Sequence, residues 1–224
     1  MSGFAIAIDG PVGVGKSSVA QEVAKTLGMT YIDTGAMYRA VAFYEMNNSD
    51  KAAPIESMLK AIDIRLELIN GLQHIYLNGK DVTKLIRTQE VSEAASRIAA
   101  LKPVREKLVA MQQDLAKHGR VVMDGRDIAS KVLPWAQVKI YLDADPKIRA
   151  ERRLEDLRAK GTKISFEEIL EQTKIRDNRD INRVNSPLIC TDDAICIDTG
   201  GLSQPEVADK IVRIVRERGG GVLD

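Results

Sequence analysis

Five short runs of apolar and β-branched residues recur along the chain, at Phe4–Asp9, Thr30–Asp33, Arg120–Asp124, Val138–Asp143 and Ala194–Asp198, and each stops at an aspartate. Their hydrophobicity is nearly continuous rather than alternating, which is the pattern of strands covered on both faces. Helical periodicity fills the intervals, at Lys16–Leu27, Gly35–Asn47, Thr88–Lys117, Pro146–Lys160, Ser165–Arg183 and Gln204–Arg218. Pro205, two residues after Ser203, suits the first turn of the last of these. The alternation predicts an α/β fold in three layers, a five-stranded parallel sheet with helices on both faces.

One segment breaks the alternation. Ile62–Leu68 and His74–Leu77 carry a strand pattern, and the pairs Asn70-Gly71 and Asn78-Gly79 follow them. Asn-Gly after such runs is a hairpin signal, so a small antiparallel meander is expected here, inserted between helices. It is either a structural ornament or the base of a substrate-binding flap. Composition adds little to this picture. The 224 residues are 44% hydrophobic and 29% charged, as expected of one globular domain, and 33 basic against 32 acidic residues leave a net charge of +1. Such a balance sets up no global field for nucleic acid or an anionic membrane, so any anion site must be local. No basic leader or run of spanning length precedes the first strand, and a cytoplasmic protein is expected. Cys190 and Cys196 fit neither a CxxC nor a metal-ligand spacing and read as reduced thiols. Gly219-Gly220-Gly221 reads as a frayed end.

The first strand leads into Gly10-Pro11-Val12-Gly13-Val14-Gly15-Lys16-Ser17-Ser18, which satisfies G-x-x-x-x-G-K-[ST] between a strand and a helix. Glycines let successive N–H groups turn inward on phosphate oxygens, and the following helix adds the positive end of its dipole. Lys16 reaches the outer phosphates as a point charge, and the Ser17 hydroxyl suits Mg²⁺. Asp124, closing an apolar run, is placed like a Walker B acid and is the second candidate for the metal. This is a P-loop NTPase type of fold with ATP as its expected ligand.

The arginines bear on what receives the phosphoryl group. Arg126 follows Asp124, Arg149, Arg152 and Arg153 cluster on one helix, and Arg176, Arg179 and Arg183 recur on another. On that helix Arg176, Asp180 and Arg183 share a face. This face either serves phosphate or is a solvated i,i+4 pair worth a few tenths of a kcal/mol, and spacing does not decide between them. Phosphoryl transfer crowds negative charge between two phosphates, for which arginines are the usual remedy, worth about 10³–10⁵ in rate. The chain has no NKxD motif, and its D-x-x-G match at Asp198–Gly201 follows the last strand, which argues against a GTPase switch. His74 and His118 lie outside every motif and read as surface residues. An acceptor needing no general base is therefore favoured, such as a nucleoside monophosphate whose phosphate ionises with a second pKa near ~6.

The segments IDGPVGVGKSS, YIDTGAMYRA, DVTKLIRTQEVSEAAS, PVRE, DGRDIAS, VKIYLDA and RDNRDINRVNSPL together resemble the bacterial cytidylate kinases, and the resemblance runs over nearly the whole chain. It implies that Thr34 and Arg39 lie in the CMP site and that Arg39, Arg126 and Arg183 hold the CMP phosphate. It implies further that Ser96, Arg105 and Asp127 read the cytosine edge, and that Arg176 and Asp180 face the ribose. A carboxylate is a chemically apt acceptor for cytosine's exocyclic amine. Thr34 stands where many relatives have serine and keeps the hydroxyl. The insert at roughly 59–83 is similar to the extra domain of that family. The implied organisation is a single domain with its core in 1–36, 104–150 and 184–224. A CMP-binding part occupies about 37–103, and a helical lid occupies about 151–183, in which Arg153 or a neighbour lies against adenine.

The expected activity is Mg²⁺-assisted, in-line transfer from ATP to CMP and dCMP, with Lys16, Arg126 and Arg183 acting on the transferred group and no covalent enzyme intermediate. Expected partners are these small molecules, with no nucleic acid or membrane, and a monomer by default. A kinase for UMP or shikimate is the second reading. A non-catalytic ATP-binding regulator is the third, and it leaves the arginine face unemployed.

Overall fold

The computed structural model describes residues 3–48, 54–69, 71–117, 119–159 and 161–218. The expectations for Asn70, His118, Lys160 and the Gly219–Gly221 tail lie outside the described residues. The strands are β1 (Ala5–Asp9), β2 (Thr30–Asp33), β3 (Ile64–Ile69), β4 (Leu72–Leu77), β5 (Lys80–Asp81), β6 (Val121–Gly125), β7 (Val138–Asp143) and β8 (Ile195–Asp198). The helices are α1 (Lys16–Thr26), α2 (Thr34–Asn47), α3 (Ile55–Ala61), α4 (Gln89–Ile98), α5 (Lys102–Ala116), α6 (Pro146–Ala159), α7 (Phe166–Asn182) and α8 (Gln204–Arg218).

All five predicted strands form one parallel sheet in the order β2-β6-β1-β7-β8. Successive side chains of β1 alternate between its two faces. Ile6 and Ile8 pack with Ile140, Leu142, α1 and α8, whereas Ala5 and Ala7 pack with Ile32, Met123 and the turn at 128–133. Every residue of β1 is buried. The site grows from the carboxyl ends of β1, β2 and β6, where the strand order changes direction, as expected of open α/β sheets.

The insert is the three-stranded antiparallel sheet β3-β4-β5. It is no ornament hung from the surface, because Ile64, Ile75, Leu77 and Ile86 share one core with Met37, Ala40 and Val41 of α2.

Three expectations change. The long helix over 88–117 is two helices, since Pro103 lacks an N–H and its ring obstructs the preceding turn. The chain instead turns at 99–101, with Leu101 extended. Helix α3 and a π-helical turn at Ile128–Val132 carried no recognised signal. The two cysteines, expected to be separate reduced thiols, have their sulfur atoms brought against one another. A turn closed by Ala194 N–H donating to Thr191 O (2.9 Å) folds the segment between them back on itself. At the start of α7, Ser165 and Glu168 form a capping box, satisfying two otherwise orphaned N–H groups.

Candidate functional site

Between β1 and α1 the backbone bends through left-handed conformations. Gly10 has φ +149°, and a Cβ there would run into the Leu142 carbonyl. Gly15 has φ +90° with open space where its Cβ would be, and it precedes α1 with no side-chain cap. The first N–H groups of α1 thus face a cleft rather than a protein acceptor, which is an anion cradle. Lys16 is only 6% exposed, and its Nζ donates to Pro11 O at 2.5 Å. Burial, then the nearby Arg126 charge, pushes its pKa well below the ordinary lysine range, against the pull of Asp124 and Asp180. A polyphosphate brought to Nζ would reverse that penalty.

Ser17 Oγ donates to Asp124 Oδ2 at 2.9 Å, and Tyr31 OH donates to Asp124 Oδ1 at 2.8 Å. Burial, followed by the Asp33 charge, raises the Asp124 carboxyl. One carboxylate and one hydroxyl beside a phosphate cradle form a partial oxygen set that Mg²⁺ would complete with phosphate oxygens and water, so the residues fit the ion. Thr34 Oγ1 donates to Asp124 O at 2.7 Å, tying α2 to β6.

From the cradle a cleft of about 630 Å³ runs beneath the arginines. Residues Val12 to Ser18 line it, together with Thr34, Arg39, Ser96, Arg105, Asp124, Arg126, Asp127, Arg153, Arg176, Asp180 and Arg183. Gly10 and Pro11 shape the loop from behind it. Each of the three arginines expected at the acceptor phosphate rests on a carboxylate. Arg39 Nη2 lies 2.7 Å from Asp33 Oδ2, Arg126 Nε 2.8 Å from Asp180 Oδ2, and Arg183 Nη2 3.6 Å from Asp127 Oδ1.

The question left open for α7 is answered by burial. Asp180 is 5% exposed and pairs with Arg126 from another element, so this face is not a solvated i,i+4 decoration. Arg176 is pushed down to about 10 by burial and then by Arg126, and its Nε has no hydrogen-bond partner among the described residues. At the far end Arg105 pairs closely with Asp127 and stacks 5.5 Å over the Tyr38 ring. Ser96 Oγ accepts from Arg179 Nη1 at 3.1 Å.

The cytidylate kinase family profile matches residues 6–217. The chain belongs to the cytidylate kinase family. It is 44% identical over 212 residues to a cytidylate kinase of Caldicellulosiruptor saccharolyticus, covering 93% of this chain and 94% of that one. It is 46% identical over 215 residues to a cytidylate kinase of Pediococcus pentosaceus, covering 95% of each. A solved structure of an uncharacterized protein from Eubacterium ventriosum matches 96% of this chain and 99% of its own, with a TM-score of 0.50 and 16% identity, which shows a shared fold alone.

Within this member of the cytidylate kinase family, several buried groups had no motif to announce them. Asp9 accepts from the backbone N–H groups of Ile128 (2.9 Å) and Ala129 (2.7 Å), tethering the loop that carries Arg126 and Asp127. Arg149 donates to Ala144 O and Val12 O and pairs with Asp177 of α7 at 2.7 Å, bracing the phosphate loop from behind. Arg152 donates to Thr199 O at 2.6 Å, and both Arg152 and Arg153 line the cleft. The aspartate ending each strand was the available signal for Asp9, since a carboxylate there meets the N–H groups of neighbouring loops. His74 pairs with Asp81 on the insert and does not line the cleft.

Proposed function

We propose that the chain transfers the γ-phosphoryl group of ATP to CMP and dCMP, giving ADP with CDP or dCDP. One observation carries this reading: a single cleft joins the phosphate cradle to the half-buried Arg39, Arg126, Arg176 and Arg183 and then to the Arg105, Asp127 and Ser96 group. A phosphate oxygen of the monophosphate attacks the γ-phosphorus in line. The bond to the β–γ bridging oxygen breaks, and its electron pair leaves with ADP.

Lys16 and the loop N–H groups hold the donor phosphates. Arg39, Arg126 and Arg183 exchange carboxylate partners for the acceptor phosphate, and Arg176 meets charge developing between the two phosphates. When bound at Ser17 and Asp124, Mg²⁺ neutralises phosphate charge and orients the donor. Asp127 accepts from the exocyclic amine of cytosine, with Arg105 and Ser96 completing the edge, and Asp180 accepts from a ribose hydroxyl. The cleft's other wall, with Arg153, Thr199 and Leu202, takes the adenine. Residues 151–183 act as the lid, excluding water that would otherwise receive the phosphoryl group.

The test is ADP release with ATP and Mg²⁺, offering CMP, dCMP, UMP, AMP, GMP and shikimate in parallel. CMP or dCMP should stimulate most. Turnover indifferent to every monophosphate would sink the proposal and favour the ATP-binding regulator.

A further inference from the structure

Asp33 lies where the acceptor site meets the insert. It is 4% exposed, and its carboxylate has three partners. Oδ1 accepts from Ala36 N–H at 3.0 Å, capping α2. Oδ2 is shared by two arginines, Arg39 of α2 at 2.7 Å and Arg87 at 3.0 Å. Arg87 ends the short helical turn Leu85–Arg87 that follows the insert, and its side chain is half exposed. The Asp33 backbone is clasped as well. Its N–H donates to Gln73 Oε1 at 2.8 Å, and its carbonyl accepts from Gln73 Nε2 at 3.3 Å. Gly35 is hemmed in by the same group, since a Cβ there would lie 3.1 Å from Arg39 Nη1 and 3.2 Å from Asp33 Oδ1.

Two arginines on one carboxylate oxygen make an exchange possible. Arg39 lines the cleft, and its buried Nε has no hydrogen-bond partner among the described residues. If Arg39 turned to a phosphate with no second cation present, it would leave a buried carboxylate uncompensated, which is costly. Arg87 remains on Asp33 and removes most of that cost. Gln73 keeps Asp33 in register while the exchange occurs.

We propose that Arg87 and Gln73 are positioning residues for the acceptor phosphate, retaining Asp33 so that Arg39 can leave it for the incoming monophosphate. The inserted sheet thereby contributes to acceptor affinity without touching the acceptor. This inference rests on the CMP kinase reading above.

The experiment measures initial rates of the full chain with CMP and ATP each varied, and the Kd for CMP by titration calorimetry without ATP. In R87Q the KM and Kd for CMP should rise about tenfold, the scale of one lost charged hydrogen bond. The KM for ATP should stay within about twofold, and R87K should recover most of the loss by restoring the charge. Q73M, which opens the clasp from the other side, should raise the KM for CMP in the same direction. CMP affinity unaltered in both R87Q and Q73M, with the unaltered protein active on CMP, overturns the inference. So does an R87K variant as impaired as R87Q, or a loss shared equally by ATP and CMP, which marks a merely structural role. Failure of the unaltered protein to phosphorylate CMP overturns the functional reading first and this inference with it.

Discussion

The donor and acceptor ends of the cleft are built on opposite plans. The donor cradle is one continuous stretch, Gly10 to Ser18, and its working groups are mostly backbone N–H groups whose directions the glycines fix. The acceptor end is assembled from side chains on α2, α4, α5, β6 with the loop after it, and α7, with the guanidinium groups of Arg39, Arg105, Arg126 and Arg183 each balanced on a carboxylate. A backbone cradle is specified locally and recognises any polyphosphate. A side-chain mosaic is specified only by the whole fold, and under the proposed function it is where discrimination among acceptors would reside.

Substitutions that separate the two ends sharpen this contrast. Lys16→Met should lower kcat by about 10³-fold or more with every accepted monophosphate, because it removes the buried charge proposed to act on the transferred group. Steady-state rates with CMP and dCMP check this, and a loss confined to one acceptor would break the division. Asp127→Asn should raise the KM for CMP about 100-fold while the KM for ATP moves little, since it replaces a charged acceptor at the base edge. Equal losses for both substrates would place Asp127 outside base recognition.

A third test concerns pH. Burial pushes the Asp9 carboxyl up to about 7 against two backbone N–H bonds, so the folded chain keeps this proton where the unfolded chain, near 3.8, has released it. The stability it contributes is complete below 3.8 and is lost as pH rises toward about 7. Melting temperatures between about pH 4.5 and 8 should carry this downward slope, and Asp9→Asn should flatten that component. The smallest effect is expected at the exposed Arg65–Asp63 pair, where Arg65→Ala should change unfolding free energy by no more than about 0.5 kcal/mol in denaturant titration.

Legibility in the sequence followed the same division. The strands, the phosphate loop and the Asn-Gly meander are local patterns, and they stand close to where the chain pattern puts them. Pairings between elements are different. Spacing joined Asp180 to Arg176, its neighbour one turn away, whereas the fold gives Asp180 to Arg126, 54 residues distant. Neither Gln73 on Asp33 nor Arg149 on Asp177 leaves a periodic trace, because each depends on two elements meeting. Pro103 breaks the helix, but the apolar periodicity runs on across it from 88 to 117 and hides the boundary. The Cys190–Cys196 pairing depends on where the turn at Thr191–Ala194 places two side chains, which the turn-forming Asp192 and Asp193 do not specify. For the site residues themselves, family resemblance supplied roles that residue spacing left open.

The Gln73 clasp has a bearing on solubility. Strand β2 is the outermost member of its sheet on one side, and outermost strands offer unpaired N–H and carbonyl groups to any passing extended chain. At Asp33 the Gln73 amide occupies both groups much as a neighbouring peptide would. The end of β2 is therefore blunted against edge-to-edge association with another molecule. The side chain proposed to keep the acceptor site in register also closes that margin to aggregation.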